Sequence, residues 1–349
     1  MRKRRISVVL GVIWLALILA TLPLMAACAR PAPPAPGERP QNVKLTIIGH
    51  FAGTSLQLRA DAIAEAIRVE YPDWRVTSLA TKGTADNMSK RIAGETDFFF
   101  ATFPRPVEVQ FQAPLHPEID FEEATAYSLV MPTSPLYVHF FALGKTKLAS
   151  IRDIVDRKYP FTVGCISTPE FVFSRILEHY GTSWAEAEAW GARHESVSAG
   201  TLAGPETLQA GKIDIAFVWS GIPSPPYMGV TFDLKLLPID DPGLVEMFKG
   251  LGYYEATIPA GTYPFVTEDI PTVAYTEFLA VRPDMPEDIV YYTVKALFNH
   301  KDILIAAHAE FERQLTPEAI ATSLARVEQF GLSIHPGALK FYQEMGWVE

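Results

Sequence analysis

Short apolar runs alternate with glycine-marked polar loops along this chain, and two stretches 117 residues apart are near copies. Ala93-Gly94-Glu95-Thr96-Asp97 leads into Phe98-Phe99-Phe100-Ala101, and Ala210-Gly211-Lys212-Ile213-Asp214 leads into Ile215-Ala216-Phe217-Val218. Each predicts a helix stopped by a glycine, where a left-handed residue past the last turn carries no Cβ penalty, and then a short buried strand. Upstream the agreement continues, with Gly49 ending the run Leu45 to Ile48 and Gly164 ending Phe161 to Val163. One strand-loop-helix plan built twice predicts two similar lobes, and the cleft between them is the natural ligand site.

The first lobe opens with a strand from Lys44 to Ile48, a loop from Gly49 to Ser55, and a helix with Leu56, Ala60, Ile63, Ala64 and Ile67 on one face. Arg75 to Leu79 alternates as a strand, and Lys82 to Asn87 begins a helix that ends at Gly94. Tyr127 to Val130 and Tyr137 to Ala142 predict two strands separated by a turn at Pro132-Thr133-Ser134-Pro135. The second lobe repeats the plan: strand Phe161 to Cys165, loop Ile166 to Pro169, and a helix from Glu170 with threonine at its N-cap and proline at N1. A short helix ending at Ala210 and the Asp214 strand follow. Thr272 to Val281 is a long strand, and helices fill the chain from Pro286. The expected class is α/β, a two-lobed periplasmic binding protein of the type II kind, each lobe a mixed sheet flanked by helices around a hinged cleft. Residues 43–137 and 277–349 form the first lobe, and 138–276 an inserted second lobe joined by two crossings.

Composition adds a location. Arg2 to Arg5 precede an apolar run from Ile6 to Ala20, and Ala26-Ala27-Cys28 follows, so residues 1–28 read as an export signal. Small residues before Cys28 resemble a lipobox, which makes Cys28 the expected lipidation site; cleavage without a lipid, or an uncleaved anchor, is the alternative. Residues 29–42 are proline-rich and read as an extended tether. The body is expected in the periplasm or on the outer face of the cytoplasmic membrane. The net charge is −10, with no Lys/Arg-rich run in the body, which argues against nucleic acid as a partner. Cys165 is the only cysteine besides Cys28 and reads as a small core residue.

No metalloprotease, nucleophile-elbow, Walker or dinucleotide-binding motif occurs, so enzyme is not the expectation, and neither a cofactor nor a metal is called for. His300 and His308 are eight apart, not at metal-pair spacing. The candidate chemistry lies in four loops at helix N-termini: Gly49 to Ser55 with His50 and Phe51, Lys82 to Asn87, Ser167 to Pro169, and the segment at Gly204-Pro205. Bare N–H groups and the helix dipole suit carboxylates there, although Ser, Thr and Asn also stand before helices as plain caps. Beyond the two Asp strands lie Thr102-Phe103 and Trp219-Ser220-Gly221, with Tyr137 near the crossing. Strand carboxyl ends face the ligand in open α/β sheets, and Phe103 and Trp219 read equally as cleft walls or core aromatics. Asp97 and Asp214, at the strand starts, read as structural.

Taken together, the segments Gly211 to Phe217, Gly221 to Pro225, Ala256 to Tyr263, Met285 to Tyr291, His335 to Ala338 and Lys82 to Asn87 resemble the TAXI family of solute-binding subunits of tripartite (TRAP) transporters. The resemblance implies a monomeric receptor that captures a small organic anion or amino acid and delivers it to a membrane permease. It also implies that Thr54, Ser55, Gly83, Thr84, Asn87, Ser167, Thr168, Ser220, Gly221 and Pro223 line the ligand. The chain departs from the family pattern at Ser55-Leu56, at Cys165 to Glu170 and at Thr102-Phe103, so a glutamate ligand does not follow. Two further readings stay open: a sensory ligand-binding subunit on the same fold, and an enzyme related to pyrimidine-precursor synthases, for which His50 would be the candidate residue.

Overall fold

A computed structural model describes residues 39–102, 104–107, 109–110, 117–166, 169–197, 204–327 and 332–349. The export signal, Cys28 and most of the tether lie outside the described residues. From Gln41 to Glu349 the chain forms one compact unit. The described residues hold ten strands, β1 (Lys44–Ile48), β2 (Arg75–Leu79), β3 (Phe98–Ala101), β4 (Ser128–Leu143), β5 (Thr162–Ile166), β6 (Arg193–Val197), β7 (Ile215–Ser220), β8 (Leu234–Leu236), β9 (Tyr254–Ile258) and β10 (Ile270–Val281). They make one mixed sheet in the order β2-β1-β3-β10-β4-β7-β5-β6, with β8 on β4 and β9 on β10. Helices α1 (Ser55–Glu70), α2 (Thr84–Ile92) and α3 (Pro169–His179) follow strands, and α4 (Glu287–Asn299), α5 (Lys301–Ala307), α6 (Glu310–Gln314), α7 (Pro317–Val327) and α8 (Pro336–Glu344) fill the C-terminal part.

The two largest hydrophobic clusters among the described residues lie on different parts of this α/β sheet. One gathers Ile47, Ile63, Ile67, Phe98, Phe100, Met131, Leu279, Val294 and Tyr342 around β1, β3, α1 and the C-terminal helices. The other gathers Phe140, Phe161, Val163, Phe173, Phe217, Phe248 and Tyr275 around β5, β7 and α3. Only β4 and β10 belong to both. Ser128 to Tyr137 pairs antiparallel with Ala274 to Val281, while Tyr137 to Ala142 pairs with Ile215 to Ser220 of β7.

The repeated Asp strands are built alike to the atom. Thr46 N–H donates to Asp97 Oδ2 at 2.8 Å and Asp97 N–H returns to Thr46 O at 2.9 Å. Thr162 N–H donates to Asp214 Oδ2 at 3.1 Å and Asp214 N–H returns to Thr162 O at 2.8 Å. Arg282 lies 3.5 Å from Asp97, and Lys145 lies 3.3 Å from Asp214. Gly94 and Gly211 have φ of 65° and 66°, the left-handed C′ geometry that the sequence predicts.

One sequence expectation fails. Pro132 to Pro135 is not a turn between two strands but the middle of the 16-residue β4. Pro135 pairs with Thr276 and Pro132 with Phe278, and Thr133 is the extra residue of a bulge between them. β7 pairs only from Tyr137 onward and the Leu129–Ile334 bridge lies nearer the start of β4, so among the described residues Pro132 to Pro135 have a strand neighbour on one side alone. A proline there withdraws no N–H that the ladder needs, and the bulge absorbs the misfit.

Candidate functional site

β3 and β7 run in opposite directions along the crossing strands. Ala101, the last residue of β3, is level with Phe278, and Ser220, the last of β7, is level with Tyr137 and so with Ala274. Both sets of strand carboxyl ends therefore converge on the middle of β4 and β10. The parallel neighbours bring their loops to the same level, β1 beside β3 and β5 beside β7.

On one side the loops after β1 and β2 interlock. Thr81 N–H donates to His50 O at 2.9 Å, Gly49 N–H to Leu79 O at 3.1 Å, and Asn87 Nδ2 to Gly49 O at 3.0 Å. Gly83, at φ 107°, lies against the Phe51 ring: a Cβ there would meet Phe51 Cζ at 3.0 Å and His50 Nε2 at 3.7 Å. The structure thus brings together His50, Phe51, Gly83 and Asn87. Burial lowers the His50 pKa, so the imidazole is neutral at pH 7. Thr54 is the N-cap of α1, accepting from Gln57 N–H and donating to Phe51 O at 2.7 Å, so its hydroxyl serves the helix. Ser55 and Lys82 are exposed, and Thr84 opens α2.

On the other side Trp219 packs against Phe217 at 4.7 Å between centroids, while Ser220 is half-buried opposite Tyr137. Burial raises the Tyr137 pKa, and the charge of Glu310 acts in the same direction. The Ile222-Pro223 peptide is cis. The loop is held from behind by a directional chain: Ser224 N–H donates to Tyr263 Oη at 2.8 Å, which lies 2.9 Å from His139 Nε2, while His139 Nδ1 lies 3.0 Å from Tyr137 O. A carbonyl can only accept, so Nδ1 carries the proton and Tyr263 donates to Nε2. Burial pushes the His139 pKa down to about 4, which keeps this tautomer neutral.

Residues that sequence reading missed adjoin each of the two sides. Arg59 of α1 pairs with Glu277 of β10, both buried, and Thr133 Oγ1 donates to Glu277 Oε2 at 2.9 Å. Arg59 also lies 5.2 Å from the Phe100 centroid and donates to Ser55 O at 3.4 Å. Beyond it, burial and the Arg59 charge hold His308 at a pKa of about 4. Glu310 N–H donates to His308 Nδ1 at 3.3 Å, Glu310 pairs with Arg313, and Arg313 Nη2 donates to Ile222 O at 3.4 Å. Two polar groupings thus reach the two sides separately: Arg59 with Glu277 at Ser55 O, and His308, Glu310 and Arg313 at Ile222 O. The missed signal was one of contrast: Arg59 is a charge on the apolar face of α1, and Glu277 a lone carboxylate in an apolar strand.

Thr102 is half-buried past the end of β3, and Pro169 is the first residue of α3. Phe103, Ser167 and Thr168 lie outside the described residues. Among the described residues no cluster of His, Cys, Asp and Glu could hold a metal, and no helix is long and apolar enough to cross a membrane.

A model of the NMT1-like family matches residues 52–346. Solved structures similar to this chain include lactococcal OpuAC in its closed-liganded conformation with glycine betaine (17% identity, 86% of this chain and 99% of that one, TM-score 0.43). A TctC solute binding protein from Polaromonas matches at 14% identity over 87% and 97% of the two chains, TM-score 0.49. The alkanesulfonate-binding protein SsuA from Xanthomonas axonopodis pv. citri, bound to MOPS, matches at 14% over 89% and 99%, TM-score 0.42.

Proposed function

The chain belongs to the NMT1-like family, and we propose that it works as an extracytoplasmic solute receptor. It captures a small organic anion or amino acid between two lobes, residues 43–137 with 277–349 and residues 138–276, and hands it to a membrane permease of the TRAP type. The observation that carries this reading is the convergence of both sets of strand carboxyl ends, with their polar loops, on the middle of β4 and β10. His50, Phe51, Gly83 and Asn87 would line one wall, and Tyr137, Ser220, Gly221 and Pro223 the other. Lipid attachment at Cys28 would hold the receptor at the membrane surface, and the monomer is the working form.

The likeness to OpuAC, TctC and SsuA, described as binding or complexed with small solutes, supports a receptor over an enzyme. The test is mass spectrometry of whatever leaves the purified protein on denaturation, joined to a thermal-shift screen of carboxylates, amino acids and sulfonates. A ligand at 100-fold over its dissociation constant should add about 2.7 kcal/mol. A protein that releases no solute and is stabilised by none of these compounds is not such a receptor.

A further inference from the structure

The edge of β10 that meets β3 and β9 is open at its middle. β3 reaches Phe278 and β9 begins at Ala274, so among the described residues Tyr275 to Glu277 have β4 alone as a strand neighbour. A cavity of about 500 Å³ opens beside this gap, with Pro135, Tyr137, Tyr254, Thr276 and Arg326 in its wall, a size that holds a small organic molecule. A smaller void of about 30 Å³ adjoins it, walled by Ala101, Leu129, Phe278 and Val327. Tyr254, Thr276, Ser323 and Arg326 line both spaces, so Arg326 stands where they meet.

Among the described residues that line either space, Arg326 is the only cation, and it is half-buried near the end of α7. Its guanidinium carbon lies 3.8 Å from the centroid of the Tyr254 ring, and its charge reaches Tyr137. The other charges nearby are paired or exposed. Arg313 pairs with Glu310, and Glu255 of the cavity wall with Lys249. Glu318, the second carboxylate of the wall, is exposed in the first turn of α7 and makes no ion pair with Arg326. Arg326 thus has no carboxylate partner among the described residues, although a guanidinium offers five donors in a fork that matches a planar oxyanion. Packing against the face of Tyr254 steadies the fork without spending it on a counter-ion.

From the cavity and its one unpaired cation we infer that Arg326 takes the charge of the solute: the ligand is an organic monoanion, a carboxylate or sulfonate, whose short apolar end enters the void beside Phe278. A second negative group would meet Glu255 and Glu318 with no cation to receive it, so a dianion is not the ligand. This rests on the receptor reading and adds to it the charge-binding residue and the class of solute.

Calorimetry on the full chain tests it with butyrate, butane-1-sulfonate, the neutral butyramide and the dianion succinate. At least one of the two monoanions should bind, at least tenfold more tightly than butyramide or succinate. Where butyrate binds, acetate should bind about tenfold more weakly, the worth of two buried methylenes. Arg326→Gln should weaken the bound monoanion at least tenfold, the loss of a charged hydrogen-bond partner, and Arg326→Lys, which keeps the charge without the fork, should fall between. Melting temperatures of the ligand-free variants show whether each folds; if Arg326→Gln does not, Arg326→Lys decides, and parental affinity there overturns the inference. An unchanged affinity in folded Arg326→Gln overturns it too, as does butyramide or succinate binding as tightly as the monoanions. If neither monoanion binds, the inference falls. The receptor reading then stands if the purified protein releases a solute or another compound stabilises it, and falls only if none does.

Discussion

Removing the Glu277 charge should destabilise the fold far more than removing the whole Arg59–Glu277 pair. Arg59 and Glu277 are 4% and 2% exposed, so both ions gave up their hydration on folding. Glu277→Gln keeps the side-chain shape but leaves the Arg59 guanidinium uncompensated, and breaking a buried pair in this way costs about 3–5 kcal/mol. Arg59→Met leaves the carboxylate instead, eased only by the Thr133 hydroxyl at 2.9 Å, and should cost a similar amount. The double variant Arg59→Met/Glu277→Leu holds neither ion. Thr133 can still donate to Glu277's main-chain oxygen position at 3.1 Å, so no polar group is stranded and stability should return to within ~1 kcal/mol of the parent. Urea unfolding of the four proteins gives the cycle, with a coupling of several kcal/mol. Single variants that each cost less than about 1 kcal/mol, or a double variant equal to the sum of the singles, would refute the reasoning. A second readout is independent of stability: Arg59→Met should raise the His308 pKa in an NMR titration, because the Arg59 charge is one of its two depressing causes.

Asp97→Ala and Asp214→Ala should each cost about 1.5–3 kcal/mol, the worth of a charged acceptor on a strand N–H, and the two should agree within about 1 kcal/mol in urea midpoints; unequal costs would sink the equivalence of the two clamps. Tyr263→Phe strands Ser224 N–H and His139 Nε2, at about 1–3 kcal/mol for each group, and hydrogen exchange at Ser224 should speed accordingly. His139 titrates near 4 in the fold and near 6.5 when unfolded, so the unfolded chain binds more protons between those values. Its contribution is complete above pH 6.5 and is lost as pH falls towards 4, roughly 3 kcal/mol in all; His139→Gln should flatten the slope of stability against pH in that window.

The repeated plan was legible because its signals are local. A glycine with positive φ, an aspartate and an apolar run occupy eight consecutive residues, and each fixes its own backbone. Pro132 to Pro135 misled for the same reason: locally two prolines spell a turn, and only the one-sided pairing of β4 at these residues, a tertiary fact, makes them tolerable in a strand. β8 and β9 went unread because their pairing with β4 and β10 depends on residues about 90 and 12 or more positions away respectively. For the site, sequence picked out loops by residue type and so found Gly83 and Asn87, but it also took Thr54, whose hydroxyl is spent on capping α1.

The repeat also explains where divergence is tolerated. Both aspartates clamp the amino ends of β3 and β7 to their neighbours, and each clamp carries its own cation, so the sheet of each half is fixed at the end remote from the converging loops. The carboxyl ends then need only local support, which the two halves obtain differently. On the first side the loops brace each other through Gly49, His50 and Asn87. On the second the Tyr263–His139 chain holds Ser224, and Arg313 reaches Ile222 from the C-terminal helices. Because neither brace involves the side chains of Ser220 or Thr102, those positions are free to change with the ligand while the sheet beneath them stays as it is.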